Sequence, residues 1–266
     1  LYDIGPGAPG YSQLTPQGVT ATATYWQDLR VLESAARVLG LDSEARGFAE
    51  QATATREAFQ KAFYRAADQT YATGSQTSLV IPLALGLAPE DARPALAAKL
   101  IADIRGRRNH TTAGDIGYRY VLAALTEAGR SDVVFDMANN PAAPSYAAQL
   151  AAGATSLTEA WDADPHSSQN HLMLGIGPDP ESPGVRHILI APQPTGDVRW
   201  VKASWESVHG PVAVEWRIEG ATFFLKVGIP PGMSADVRIP GGQALQVTSG
   251  QYEFRHTGFA VQNARP

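Results

Sequence analysis

Residues 153–175, GATSLTEAWDADPHSSQNHLMLG, crowd acids, amides and two histidines into one short stretch. The side chains there with chemical potential are Glu159, Trp161, Asp162, Asp164, His166, Asn170 and His171. Cleaving a glycosidic bond takes two carboxyl groups, one to protonate the leaving oxygen and one to act as nucleophile or to activate a water. Glu159 is the best candidate for such a group, set among small residues and separated from Trp161 by Ala160 alone. An indole beside a carboxylate suits sugar recognition, because its face stacks on the apolar C–H side of a pyranose. The plainer alternative is a helix-terminal glutamate capping a backbone amide. His171 could orient a sugar hydroxyl or a carboxylate through either ring nitrogen. Next to Leu172 and Met173 it also reads as a core histidine. Asp162, Asp164 and His166 match no metal-binding spacing and read as a solvated loop. In NHTTAGDIGYRY, Asp115 stands at a helix start, where a cap is the simple reading.

These side chains need a scaffold, and the composition allows a large one. The 266 residues can bury a substantial core in one or two domains. An apolar fraction of 44% and a charged fraction of 18% are those of an ordinary globular protein. Net charge is −5, from 26 acids and 21 bases, which argues against nucleic acid or an anionic membrane as partner. The dense basic cluster RGRRN, residues 105–109, reads as a solvated helix end. With no cysteine, disulfides, zinc-thiolate sites and thiol nucleophiles are excluded. The apolar run SLVIPLALGLA is too short for a membrane span and contains Pro82. No metal or cofactor is expected. The opening LYDIGPGAPGYSQLTP has no initiating methionine and reads as the interior of a longer polypeptide.

Two periodicities divide the chain. Up to about residue 175 the pattern is helical. Thr15 and Pro16 form an N-cap and first-turn pair. The helix that follows has a predicted apolar face of Tyr25, Leu29, Leu32, Ala36 and Leu39, and Gly40 stops it. A second begins at Asp42 and Ser43, with Phe48, Ala52, Thr55, Phe59 and Phe63 on its inner side. Pro89 opens a third with Leu96, Leu100 and Ile104 inside, and further helices are expected near 76–86, 115–128, 131–138 and 145–152. Short loops imply antiparallel neighbours, as in a bundle, solenoid or toroid. After residue 185, HILIAP, WVKASWES, VAVEWRIE, TFFLKVGI, ADVRIP, ALQVTS and YEFRH read as short strands between Gly and Pro turns. Glu219-Gly220 is a hairpin signal, and so many short strands imply a β-sandwich. In it Trp200, Trp205 and Trp216 are expected as core or interface residues.

The motifs YDIGPG, SQTSLVIPLALGL, NHTTAGDIGYRYVLAAL, GATSLTEAWD and SSQNHLMLG, in this order, resemble those of the family 78 α-L-rhamnosidases. The tail HILIAPQPTGDVRWVKASWESVHGPVAVEW resembles that family's C-terminal β-sandwich. The resemblance implies a multi-domain chain, α then β. A partial (α/α)6 toroid over residues 1–184, incomplete on its N-terminal side, would precede an antiparallel β-sandwich over 185–266.

The implied activity is inverting hydrolysis of terminal non-reducing α-L-rhamnose from glycosides or polysaccharides. The resemblance puts the general base on Glu159 and the sugar-contacting histidine on His171, with Trp161 and Asp115 as further substrate-binding residues. Thr158 stands where the family has the first Trp of its Thr-Thr-x-Trp-Glu-x-Trp motif. Asp115 lies where many members carry Thr-Gly-Phe. The family's general acid lies in an acidic segment that would precede Tyr2, and Gly175 runs into IGPDPESPG where a further helix is usual. The expected partners are therefore a rhamnose-containing carbohydrate and the upstream half of the same polypeptide, or another chain, to complete the toroid. The compartment stays open, with a periplasmic or secreted location fitting a bacterial source. Two other readings remain: a non-catalytic carbohydrate-binding or structural remnant, and another (α/α)6 enzyme such as a polysaccharide lyase. A lyase would use a cluster such as His110, Tyr118 and Arg119.

Overall fold

A computed structural model describes residues 3–5, 13–154, 161 and 186–259. The chain divides into two compact units, residues 1–175 and 176–266. The expected 184/185 boundary lies outside the described residues.

The first unit is helical. Its described helices are α1 (Gln17–Val38), α2 (Asp42–Phe63), α3 (Gln76–Ala84), α4 (Arg93–Gly106), α5 (Asp115–Glu127), α6 (Ser131–Ala138) and α7 (Tyr146–Ala151). A two-residue hairpin, β1 (Tyr64–Arg65) with β2 (Thr70–Tyr71), follows α2 and carries too little pattern for sequence reasoning to find. Helices α1, α3 and α5 pack on one another in order, and each is backed by α2, α4 or α6. That alternation of two layers is the helix-hairpin repeat of an (α/α)6 toroid, present here in part. Helix α3 belongs wholly to the interior: every residue from Gln76 to Leu83 is buried. From Leu79 to Leu83 it is apolar on all sides, and such a helix is stable only when surrounded.

Helix α4 keeps Leu96, Leu100 and Ile104 fully buried, as their spacing requires. It starts at Arg93 with Pro94 in its first turn, later than Pro89, because residues 90–92 form a turn first. Two other expectations change. Thr15 does not cap α1; its hydroxyl lies 2.7 Å from that of Ser75, which itself caps α3. The buried face of α1 consists of Val19, Thr20, Ala23, Leu29, Glu33 and Ala36, whereas Tyr25, Leu32 and Leu39 are exposed. Glu33 can enter this face because Arg30 and Arg37 of the same helix both pair with it. The basic cluster is likewise more than a solvated helix end. Arg105 bridges α4 to Asp132 and Asp136 of α6, and Arg107 pairs with Asp103 at 2.8 Å.

The second unit is a β-sandwich. Strands β4 (Trp200–Ser207), β5 (Gly210–Glu219), β6 (Thr222–Ile229) and β9 (Gly250–Thr257) form an antiparallel sheet in the order β4-β5-β6-β9. Strands β3 (His187–Ile190), β7 (Ser234–Arg238) and β8 (Ala244–Val247) form the other, in the order β3-β7-β8. Both sheets feed one core: Trp216, Phe223, Leu225 and Val227 from the first meet Ile190, Ala235, Val237 and Val247 from the second. The period-2 alternation of β6 places Phe223, Leu225, Val227 and Ile229 inward. The β5–β6 turn uses Gly220 at φ +58°, a conformation that only glycine adopts without strain.

One departure from a purely antiparallel sandwich is the β3–β7 pair, which is parallel. The β4–β6 meander lies between these strands in sequence and supplies the long connection that a parallel pair needs. The tryptophans also divide. Trp216 is a core residue, 7% exposed, and Trp205 is half-buried against the same core, but Trp200 is 69% exposed. The register explains this, since Trp200 pairs with Arg217 while its neighbour Val201 pairs with Trp216. Trp200 thus points to the face opposite the core.

Candidate active site

The short segment 109–114, between α4 and α5, gathers the sequence motifs. Gln76 of α3, itself fully buried, grips it from below. The Gln76 amide oxygen accepts from the Thr112 N–H at 2.9 Å and the Thr111 hydroxyl at 3.1 Å. Its amide nitrogen donates to the His110 carbonyl at 3.2 Å and to Asp103 of α4 at 2.9 Å. All four hydrogen-bonding positions of this amide are therefore used, so its orientation is determined.

On the other side of the segment comes the YDIGPG motif. Asp3 forms a β-bridge with Ala113, and the Ile4 N–H donates to the Thr112 carbonyl at 2.7 Å. The Asp3 carboxylate, buried, accepts from the Gln13 and Leu14 N–H groups at 2.7 and 3.0 Å and so ties residues 13–14 to the same place. Three stretches far apart in sequence meet on residues 111–113.

The fourth is the motif that contains Glu159. Trp161 is 9% exposed, and its indole N–H donates to the Ala113 carbonyl at 2.9 Å. Its ring stands edge-on to Tyr118 of α5 at 4.9 Å and 90°, and lies against Tyr146 of α7 at 5.6 Å. Tyr118 and Tyr146 also meet edge to face, at 5.9 Å. Burial pushes both phenols up, Tyr118 far above its ordinary value and Tyr146 to about 12. They stay neutral at every physiological pH and serve as packing surfaces. The structure therefore places Trp161 in the core of the helical unit, with its N–H spent, and not on an open wall.

Asp115 occupies the first position of α5, immediately after the extended N-cap Gly114; only its backbone is described. Glu159 and His171 lie outside the described residues, as do Thr158, Asp162, Asp164, His166 and Asn170. The lyase-like trio is not gathered. The His110 Nδ1 faces the Arg107 carbonyl at 2.8 Å, Tyr118 is buried against Trp161, and the Arg119 guanidinium lies over the Tyr120 ring at 4.6 Å. Sequence reasoning missed Gln76, Asp3 and Ala113 as site-building residues. A glutamine at the start of the apolar run LVIPLA was an available signal.

Among the described residues no cluster of His, Asp or Glu is arranged to hold a metal, and no helix is long and apolar enough to cross a membrane.

Comparison with known proteins agrees with this geometry. Residues 4–177 match the bacterial alpha-L-rhamnosidase 6 hairpin glycosidase domain, and residues 175–254 match the bacterial alpha-L-rhamnosidase C-terminal domain. An alpha-L-rhamnosidase of Streptomyces avermitilis is 30% identical over 94% of this chain, which covers 26% of that protein. The crystal structure of a Streptomyces avermitilis alpha-L-rhamnosidase complexed with L-rhamnose is 27% identical, with a TM-score of 0.80 over 91% of this chain and 27% of that one. The alpha-L-rhamnosidase of Dictyoglumus thermophilum, 25% identical, gives a TM-score of 0.79 over 94% of this chain and 33% of its own. The chain thus spans about a quarter of the length of the curated relatives it matches. With both parts of its length accounted for, the chain belongs to the bacterial α-L-rhamnosidase family.

Proposed function

We propose that this chain supplies the general-base side of an inverting α-L-rhamnosidase site. Glu159 is the base, His171 orients a hydroxyl of the terminal rhamnose, and Asp115 lies at the edge of the sugar site. The observation that carries this reading is the convergence of three family motifs on residues 111–113 of a fourth, one of them through Trp161. Trp161 belongs to the same motif as Glu159, two positions along the chain.

In this role Glu159 takes a proton from water as the water attacks the anomeric carbon. A carboxylic acid on the opposite face, about 6.5–9.5 Å from Glu159 as in inverting sites, protonates the departing oxygen. That acid, and the rest of the toroid, come from the upstream part of the same polypeptide or from another chain. The share of the relatives that this chain spans supports the assignment. So does α1, whose exposed Tyr25, Leu32 and Leu39 offer an apolar face to the remainder of the ring. The substrate class, terminal α-L-rhamnosides, rests on the family and on the relative solved with L-rhamnose.

The test is hydrolysis of an aryl α-L-rhamnoside by the longer polypeptide containing these residues, followed by proton NMR. The β-anomer of rhamnose should appear first. Glu159→Gln should lower kcat by about 10²–10⁴-fold while rhamnose still binds, as expected for loss of a general base. A Glu159→Gln variant with near-normal kcat would remove the assignment.

A further inference from the structure

We infer that the outer face of the β4-β5-β6-β9 sheet is a binding surface for a neutral, rhamnose-bearing sugar chain, centred on Trp200. The choice of rhamnose rests on the substrate class proposed above, while the role of Glu159 does not enter.

Strand register decides what this face presents. Trp200 of β4, Arg217 of β5, Phe224 of β6 and Arg255 of β9 are cross-strand partners in succession, so they form one row on the side away from the core. Neighbouring strands lie about 4.8 Å apart, which makes the row about 14 Å long, the reach of a short oligosaccharide. At one end of it Trp200 stands 69% exposed. The Arg217 guanidinium lies over the Phe224 ring at 4.3 Å, and that of Arg255 approaches the same ring at 5.7 Å. Glu219 accepts from the Arg217 Nε at 2.6 Å. The middle of the row is thus ordered in advance, and most of its guanidinium donors stay unused. Among the described residues, the Trp200 N–H, Lys202 and Arg255 hold no hydrogen bond or ion pair.

The next row is Lys202, Glu215, Lys226 and Glu253, alternating in sign, with the last two paired at 2.9 Å. Glu206 and Glu219 complete the outward charges, so four cations meet four carboxylates and the face carries no net charge. This balance selects the occupant. A nucleic acid or acidic polysaccharide needs an excess of cations, which the face lacks. An apolar protein partner needs a broad hydrophobic patch, and Trp200 is the one large apolar side chain that these four strands expose. A neutral sugar needs what is present: an indole to stack on the C–H side of a pyranose, and interleaved donors and acceptors for hydroxyls that do both.

The experiment is affinity electrophoresis of the longer polypeptide containing these residues, through gels holding a neutral α-L-rhamnan or, separately, polygalacturonate. Rhamnan should retard the unsubstituted protein, and salt at about 0.5 M should not relieve it. Trp200→Ala should weaken rhamnan binding by at least about tenfold, as loss of a central aromatic anchor does. Arg255→Ala should weaken it by about threefold or more, whereas Leu189→Ala, at a 56% exposed position of β3 in the other sheet, should leave it unchanged. Hydrolysis of a small aryl α-L-rhamnoside and the melting midpoint should be the same in all three variants. Unretarded wild-type protein, or Trp200→Ala retarded as strongly as wild type, would overturn the inference. Equal retardation by polygalacturonate that salt abolishes would overturn it in favour of a polyanion. So would a Trp200 fluorescence component that acrylamide cannot quench in the longer polypeptide, since another domain or a second copy then covers the face. If the unsubstituted polypeptide does not hydrolyse the aryl rhamnoside, the substrate class falls, while Trp200-dependent retardation by rhamnan would still uphold this surface.

Discussion

The Gln76 amide holds Thr112 in place across 36 residues of sequence, its oxygen accepting from the Thr112 N–H at 2.9 Å. The same side chain serves Thr111, His110 and Asp103. Gln76→Leu fills similar space and supplies none of these partners, so several buried polar groups lose theirs together. The expected loss is about 2–4 kcal/mol of unfolding free energy, from the usual cost of leaving buried groups unpaired. Urea denaturation of the variant checks it, and a loss well under 1 kcal/mol would mean that water takes over the amide's role.

Alkaline titration offers a second test. Burial raises Tyr71 and Tyr146 from about 10 to about 12, and Tyr118 further still. Between pH 10 and 12 the unfolded chain releases these protons and the folded chain keeps them. Unfolding therefore becomes easier as pH rises, with the stabilisation fully present below pH 10 and lost through the folded values. Phenolate absorbance and far-UV circular dichroism should show these tyrosines ionising as the helical unit unfolds. Their complete ionisation near pH 10 with helicity intact would contradict the burial.

Two tryptophans of the sandwich should behave in opposite ways. Trp216 lies in the core and packs on Phe223 at 5.7 Å, while Trp200 is mostly exposed. Trp216→Ala should cost about 3–5 kcal/mol, the usual price of a large core truncation. Trp200→Ala should stay within about 0.5 kcal/mol, as surface substitutions do. Thermal melting of the two variants discriminates, and a destabilised Trp200→Ala would mean that this face is covered.

The exposed face of α1 makes a further prediction. Leu32→Glu and Leu39→Glu alter side chains that are 46% and 71% exposed, so the helical fold should survive. Association with a separately expressed upstream part should weaken by at least about tenfold, since burying an unpaired carboxylate at an interface costs about 1.4 kcal/mol or more. Analytical ultracentrifugation measures this. Unaltered association would move the contact to another face.

Periodicity and local chemistry were enough to establish much of this architecture. Leu96, Leu100 and Ile104 recur at helical spacing and all three are buried in α4. The alternation in TFFLKVGI fixes which side of β6 enters the core, and Glu219-Gly220 marks its hairpin. These signals are legible because they depend on residues a few positions apart. Helix α1 was harder, because Tyr25, Val31, Leu32, Val38 and Leu39 supply apolar residues on more than one side. Only α2 and α3, packing against it, decide which side is inner.

The site shows the same division. The motif around Glu159 stood out by composition, but the contacts of Trp161 did not. An indole beside a carboxylate looks the same in sequence whether its face meets a sugar or two buried tyrosines. The tertiary structure decided it through contacts that no local pattern encodes: Trp161 to Ala113 across 48 residues, Thr15 to Ser75 across 60, and the parallel pairing of β3 with β7 around an intervening meander. A polar group commits to whichever partner the completed fold brings within about 3 Å, and that choice exists only once the chain has closed on itself.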